Sequence, residues 1–223
     1  MAGERKMFEK AVRYVWYWLS GWTCRLFCIF FFNFRAYGKE NVPHKGAILL
    51  VSNHQSYLDP ILCGVSLTRQ MHYLARDSLF GNWFFCWLIS SLNAIPVRRG
   101  EPSLSTMKKV ISRLRGGYGV CLFPEGTRTP DGKIAAFKPG FGLLRRRGNA
   151  AIVPVMIDGA FECWPRHKKM FSRGSIVVWY GEVITAEEAK NMGDEELAGT
   201  VTERLRQMQT QCREKRGKKP YEY

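Results

Sequence analysis

The chain has no CxxC pair, and none of its seven cysteines falls with histidine at the spacing a zinc site requires. No metal site is expected. Cys24 and Cys28 lie one helical turn apart in an aromatic run, where packing accounts for them. No cleavable signal is recognisable, so a reducing cytoplasmic setting is expected. Internal repeats, low-complexity tracts and a dividing linker are lacking as well. Acidic residues are scarce, 19 Asp and Glu against 34 Lys and Arg, leaving a formal net charge of +15. That balance excludes no single partner but selects for anions: nucleic acid, acidic membrane surfaces or phosphorylated substrates.

Hydrophobic residues are plentiful, at 46% of 223 positions, enough for the core of one domain. Tyr14 to Phe34 is almost continuously apolar and aromatic, long enough to be weighed as a membrane span. Arg25 inside the run opposes a span, since arginine at a membrane-helix centre costs roughly 2.5–3.5 kcal/mol on insertion scales. Ser20-Gly21 interrupts the run, and cations flank both ends. Lys6, Lys10, Arg13, Tyr17 and Ser20 recur at helical spacing as one polar stripe, with Phe8, Val12, Val15, Trp16 and Leu19 away from it. The expectation is two interfacial helices joined near Gly21, residues 1–38, that contact membrane lipids from the cytoplasmic face. The competing readings are a single span, or aromatic helices packed on a soluble domain.

From Gly46 onward, short apolar runs alternate with amphipathic stretches, the pattern of an α/β domain over 39–223. Strands are expected at Ala47–Ser52, Tyr118–Phe123, Ala151–Ile157 and Ser175–Tyr180, with weaker ones at Met71–Ala75 and Asn93–Val97. Leu104, Met107, Val110, Ile111 and Leu114 mark one helix, bounded by Pro102 and Gly116-Gly117. Thr185-Ala-Glu-Glu188 resembles a capping box. Leu197, Val201, Leu205, Met208 and Cys212 give another helix one buried face. The basic tail Arg213–Lys219 is expected in solvent or against a membrane.

Two short blocks carry the chemistry. His54 follows the first strand in Asn53-His54-Gln55-Ser56-Tyr57-Leu58-Asp59, and Asp59 precedes Pro60, which suits a helix start. Within one helix, residues five apart would face about 140° away from each other. A loop followed by an Asp59 cap lets the carboxylate reach one imidazole nitrogen and leaves the other as a base. The bland reading has His54 bonded locally and Asp59 capping only. Ser56 lacks the glycine-flanked elbow of a covalent nucleophile. The second block, Phe123-Pro124-Glu125-Gly126-Thr127-Arg128, puts a flexible glycine and a guanidinium after a strand, where Arg128 could grip phosphate in a fork. Arg98 and Arg99 add positive potential, and Lys138 and Gly140 lie in a further loop. Glu125 repels anions and calls for a hydroxyl-rich ligand or an arginine to orient.

Together these blocks resemble the 1-acyl-sn-glycerol-3-phosphate acyltransferase family of glycerolipid enzymes over roughly residues 40–185. Asn53-His54 to Asp59 matches its NHxxxxD block, Ile95-Pro96-Val97-Arg98-Arg99 the second, Phe123 to Arg128 the FPEGTR block, and Val153-Pro154-Val155 the fourth. Asn93 stands where glycine is frequent, and Arg76-Asp77 replaces a common Lys-x-Glu. The resemblance implies a mixed, largely parallel β-sheet flanked by helices. It implies catalysis by His54 and Asp59 without an acyl-enzyme. Glu125, Gly126, Thr127, Arg128, Arg98 and Arg99 would bind the substrate phosphate. No cofactor is implied: acyl-CoA or acyl-[acyl carrier protein] serves as co-substrate, lysophosphatidic acid as acceptor and phosphatidic acid as product. Two rivals are a catalytically silent lipid-surface protein and a nucleic-acid binder. The second is disfavoured because the aromatics concentrate in one apolar segment instead of interleaving with cations.

Overall fold

The computed structural model describes residues 2–97 and 104–223. Seven strands form one sheet: β1 Arg35–Tyr37, β2 Ile48–Ser52, β3 Met71–Arg76, β4 Ala94–Val97, β5 Gly119–Leu122, β6 Ala151–Asp158 and β7 Val177–Tyr180. Their order is β1-β7-β6-β2-β5-β3-β4. Every neighbouring pair is parallel except β6 with β7. The sheet is thus mixed and largely parallel, with helices on both faces.

The unbroken apolar runs of β2, β5 and β6 reflect burial on both sides. Successive side chains alternate: Leu49, Val51, Val120, Leu122 and Ile152 point into one core, Ile48, Leu50, Cys121, Val153 and Val155 into the other. The first core is closed by α4 (Leu104–Arg115), α5 (Phe141–Gly148) and α7 (Asp194–Lys215) through Val110, Leu114, Phe141, Leu197, Val201 and Leu205. The second is closed by α1 (Ala2–Phe32) and the short α2 (Asp59–Leu62) through Cys28, Phe32, Leu62 and Cys63.

The amino-terminal segment is one continuous helix, and the expected break at Ser20-Gly21 is absent. A glycine inside a helix costs only about 1 kcal/mol. Burying Phe32 returns roughly 1.5–3 kcal/mol, and the stripe Tyr17, Cys28, Phe32 holds the helix to the sheet on both sides of Gly21. Tyr17 is therefore not a solvent-facing member of a polar stripe; its buried hydroxyl accepts the Met71 N–H at 3.0 Å. Val12, Val15, Leu19, Trp22 and Leu26 stay exposed on the opposite side.

Smaller departures have local causes. Strand β1 is three residues long and went unrecognised because it lacks an apolar run. Asn93 adopts φ +64°, the left-handed conformation that asparagine tolerates where glycine would otherwise serve. The Thr185–Glu188 box forms, with Thr185 N–H donating to Glu188 and Glu188 N–H to Thr185, but it opens a single 3₁₀ turn, not a long helix. The tail is not free: Arg213 and Arg216 both donate to Asp158 at 2.8 Å, tying the end of α7 to the end of β6.

Candidate active site

Three chain segments meet at the carboxyl ends of β2, β5 and β6, the edge where parallel sheets commonly hold ligands. β2 leaves the sheet at Ser52, and Asn53 then replaces a strand rung with its side chain. Its amide donates to the Ile157 carbonyl at 2.9 Å and its oxygen accepts the Ile157 N–H at 2.8 Å. Both Ile157 groups belong to β6, so the direction of the chain is fixed one residue before His54.

The following loop folds back as the short spacing requires. Asp59 Oδ2 lies 2.7 Å from His54 Nδ1 and also accepts the backbone N–H groups of Gln55 at 2.5 Å and Ser56 at 2.7 Å. Asp59 is the first residue of α2 and not its cap, and α2 ends at Leu62, short of Val65. Its side chain is wholly buried, whereas that of His54 is 21% exposed. An oxygen that already receives two N–H groups acts as acceptor toward the ring too, so Nδ1 carries the proton and Nε2 presents a lone pair. Nε2 has no hydrogen-bond partner among the described residues. Ser56 is buried and committed: its hydroxyl donates to the Trp164 carbonyl and accepts the Leu58 N–H.

The second block grips the first. Phe123 stacks on the imidazole at 4.3 Å between centroids and 23° between planes. Glu125 Oε1 accepts the His54 N–H at 2.8 Å, and the Thr129 N–H donates to the His54 carbonyl at 2.8 Å. His54 is thus bracketed on both backbone groups. Glu125 is only 7% exposed, and burial pushes its carboxyl up to about 8, opposed by backbone N–H groups from His54 and Ala135. The buried carboxyl thus turns toward the His54 backbone.

Gly126, at φ +74°, turns the chain outward, its own N–H closing the turn onto the Phe123 carbonyl. Thr127 is exposed beyond it. The Arg128 guanidinium lies over Tyr57, 3.5 Å from the ring centroid, and its Nη1 is buried with no hydrogen-bond partner. A buried, unpaired cationic N–H is the donor an anionic oxygen would satisfy. The Lys138 ammonium sits 3.4 Å from the point a Cβ on Gly126 would occupy, adding charge beside the same turn. Arg98 and Arg99 lie outside the described residues.

Asn53, Tyr57 and Phe123 are site residues that motif reading left without a role. The alternation of β5 beyond Leu122 could have flagged Phe123, and Asn53 stands in the NHxxxxD block; nothing local in the sequence flags Tyr57. Among the described residues no group of His, Cys, Asp and Glu could hold a metal ion.

The profile of the family described as Acyltransferase matches residues 33–158, which contain both blocks. The 1-acyl-sn-glycerol-3-phosphate acyltransferase of Bacillus subtilis is 30% identical over 174 residues, 78% of this chain and 84% of that protein. The chloroplastic 1-acyl-sn-glycerol-3-phosphate acyltransferase LPAT1 of Arabidopsis thaliana is 30% identical over 138 residues, 60% of this chain. The chain spans only 38% of that longer plant protein. Among solved structures, the 1-acyl-sn-glycerophosphate acyltransferase PlsC of Thermotoga maritima is similar with a TM-score of 0.76 at 26% identity, over 92% of this chain and 80% of that one.

Proposed function

This chain belongs to the acyltransferase family, and we propose that it moves a fatty acyl group from a thioester donor to the free hydroxyl of a 1-acylglycerol 3-phosphate, giving phosphatidic acid. The observation that carries the reading is the 2.7 Å contact of His54 Nδ1 with a buried Asp59, which leaves Nε2 as an available base. Nε2 takes the proton of the acceptor hydroxyl as its oxygen attacks the thioester carbonyl carbon. The tetrahedral intermediate then collapses, the carbon–sulfur bond breaks, and the departing thiolate takes the proton back from the imidazolium. Asp59 stabilises that imidazolium while it lasts. No acyl-enzyme is required, in keeping with the committed hydroxyl of Ser56.

The acceptor phosphate pairs with Arg128, helped by Lys138 and by the Gly126–Thr127 turn, with Arg98 and Arg99 contributing from the segment after β4. Glu125 and Phe123 act through His54 by fixing its backbone and ring. The donor is acyl-CoA or acyl-[acyl carrier protein], and the chain works at the cytoplasmic face of a membrane, where its acceptor and product reside. The exposed apolar side of α1 supports that location, because an apolar surface of this extent needs a partner. By length and composition Met7–Phe32 is also long enough to cross a bilayer.

Purified protein in detergent, offered acyl thioesters and lysophosphatidate with product mass read directly, tests this. His54→Ala is expected to lower turnover by about 10²–10⁴-fold, the typical contribution of a general base, while vesicle binding persists. Unchanged turnover would refute the assignment.

A further inference from the structure

The segment between β3 and β4 is the most exposed apolar surface outside α1. Residues 79–97 contain no charged side chain, although Arg76 precedes them and Arg98-Arg99 follow. Helix α3, Trp83–Ser91, occupies the middle of this stretch and buries none of its residues. Trp83 is 82% exposed, and Leu79, Phe84, Phe85 and Trp87 are each about half exposed. The helix is nevertheless well formed: Asn82 caps it, accepting the N–H groups of Phe84 and Phe85.

Helix α3 rests on α1 at one place. The rings of Trp16 and Trp87 lie 5.5 Å apart, and the Trp16 indole donates to the Ser91 hydroxyl at 2.9 Å. At about 100° per residue, Trp16 falls on the flank of α1 between the buried Tyr17 and the outward row Val12, Val15, Leu19 and Trp22. The aromatic face of α3 therefore continues the outward face of α1 sideways.

We propose that α3 is a second lipid-contacting element, which lays the face of Trp83, Phe84 and Trp87 into the headgroup boundary of the leaflet that receives α1. This rests on the lipid association proposed above and adds a surface to it. Nine residues rise only about 14 Å, under half the hydrocarbon thickness of about 30 Å, so α3 dips and does not cross. Tryptophan-rich, uncharged and bordered by arginines, its composition is that of an interfacial segment. A single interfacial helix leaves the attached domain free to roll about the helix axis. A second contact on its flank stops that roll and sets the height of the site above the lipid.

The test uses the full chain in proteoliposomes containing anionic phosphatidylglycerol. Cys86 on α3 is partly exposed, as is Cys24, while the other five thiols are buried. In a Cys24→Ser background, Cys86 is labelled with an environment-sensitive fluorophore. A second protein carries Phe84→Cys with Cys24→Ser and Cys86→Ser, guarding against a local effect of one label. Reference reporters sit at Val15→Cys on α1 and Glu187→Cys on the far face of the sheet.

Nitroxide-bearing lipid is expected to quench the α3 reporters severalfold more than the one at 187, and aqueous iodide to do the reverse. If 84 and 86 are quenched by iodide as strongly as 187, while 15 is quenched by lipid, the inference about α3 falls and the α1 reading stands. If 15 is quenched by iodide too, the underlying membrane reading fails. Protection of 84 and 86 from both quenchers means that protein, such as a second copy of this chain, covers α3, which also overturns the proposal.

Discussion

Arg128 holds its guanidinium on the Tyr57 ring with one N–H buried and unpaired, an arrangement that costs energy until an oxygen arrives. Lysine keeps the charge but loses the planar fork and the stacking. Arg128→Lys is therefore expected to raise the KM for the phosphate-bearing acceptor roughly 10- to 100-fold, from about 1.5–3 kcal/mol of charge-assisted bonding lost, with kcat much less affected. Steady-state kinetics against acceptor concentration check it; an unchanged KM would remove Arg128 from the anion site. Glu125 makes a pH prediction. Its carboxyl is raised from 4.5 to about 8 by burial, so the folded state binds a proton that the unfolded state releases. That contribution to stability is complete below about 4.5 and is lost as pH rises through about 8. Glu125→Gln keeps an oxygen for the His54 N–H and cannot titrate. Denaturation midpoints of the variant should lose part of the fall the parent shows between pH 5 and 8; identical profiles would mean that Glu125 is not buried neutral.

Among elements, α1 is fastened to β3 through the Tyr17 hydroxyl, which accepts the Met71 N–H and also meets the Tyr73 side chain. Tyr17→Phe removes the acceptor of the Met71 N–H, leaving a buried donor unpaired at a cost of about 1–3 kcal/mol. At about 2–4 °C per kcal/mol for a domain of this size, a melting shift of several degrees is expected by scanning fluorimetry in detergent. No shift would mean that water replaces the phenol. The same elements show what a sequence can disclose. β2, β5 and β6 were legible because strands buried on both faces read as unbroken apolar runs, and α4 and α7 because one buried face imposes a helical period. The continuity of α1 was not legible: Gly21 signals a break locally, and what overrides it is a packing stripe on a sheet assembled from later residues. Spacing and the proline at 60 allow His54 and Asp59 to meet without choosing that contact over local capping, and the hydrogen-bond geometry decides it at 2.7 Å. The buried position of Glu125 could not be read, since its partner is a backbone amide 71 residues away.

At the scale of the molecule, the membrane association proposed above divides its work between charge and apolar surface. A formal charge of +15 draws the chain to anionic lipid over a screening length of about 10 Å at 0.1 M salt, shrinking to about 3 Å at 1 M. Apolar contacts through α1 do not weaken with that screening. Flotation with anionic vesicles is thus expected to fall between 0.1 and 1 M salt and to level off above zero. Complete release would mean that attraction is purely electrostatic, contrary to an inserted helix face.

The two amide-level clasps on His54, one from Glu125 and one from Thr129, hold its backbone, while Asp59 and Phe123 hold its ring. The residue is thus held from two stretches of chain far apart in sequence. Small slippage of the 124–132 loop is enough to disarm the protein while every helix and strand persists. Loss of turnover is then an early symptom of loosening, well ahead of collapse.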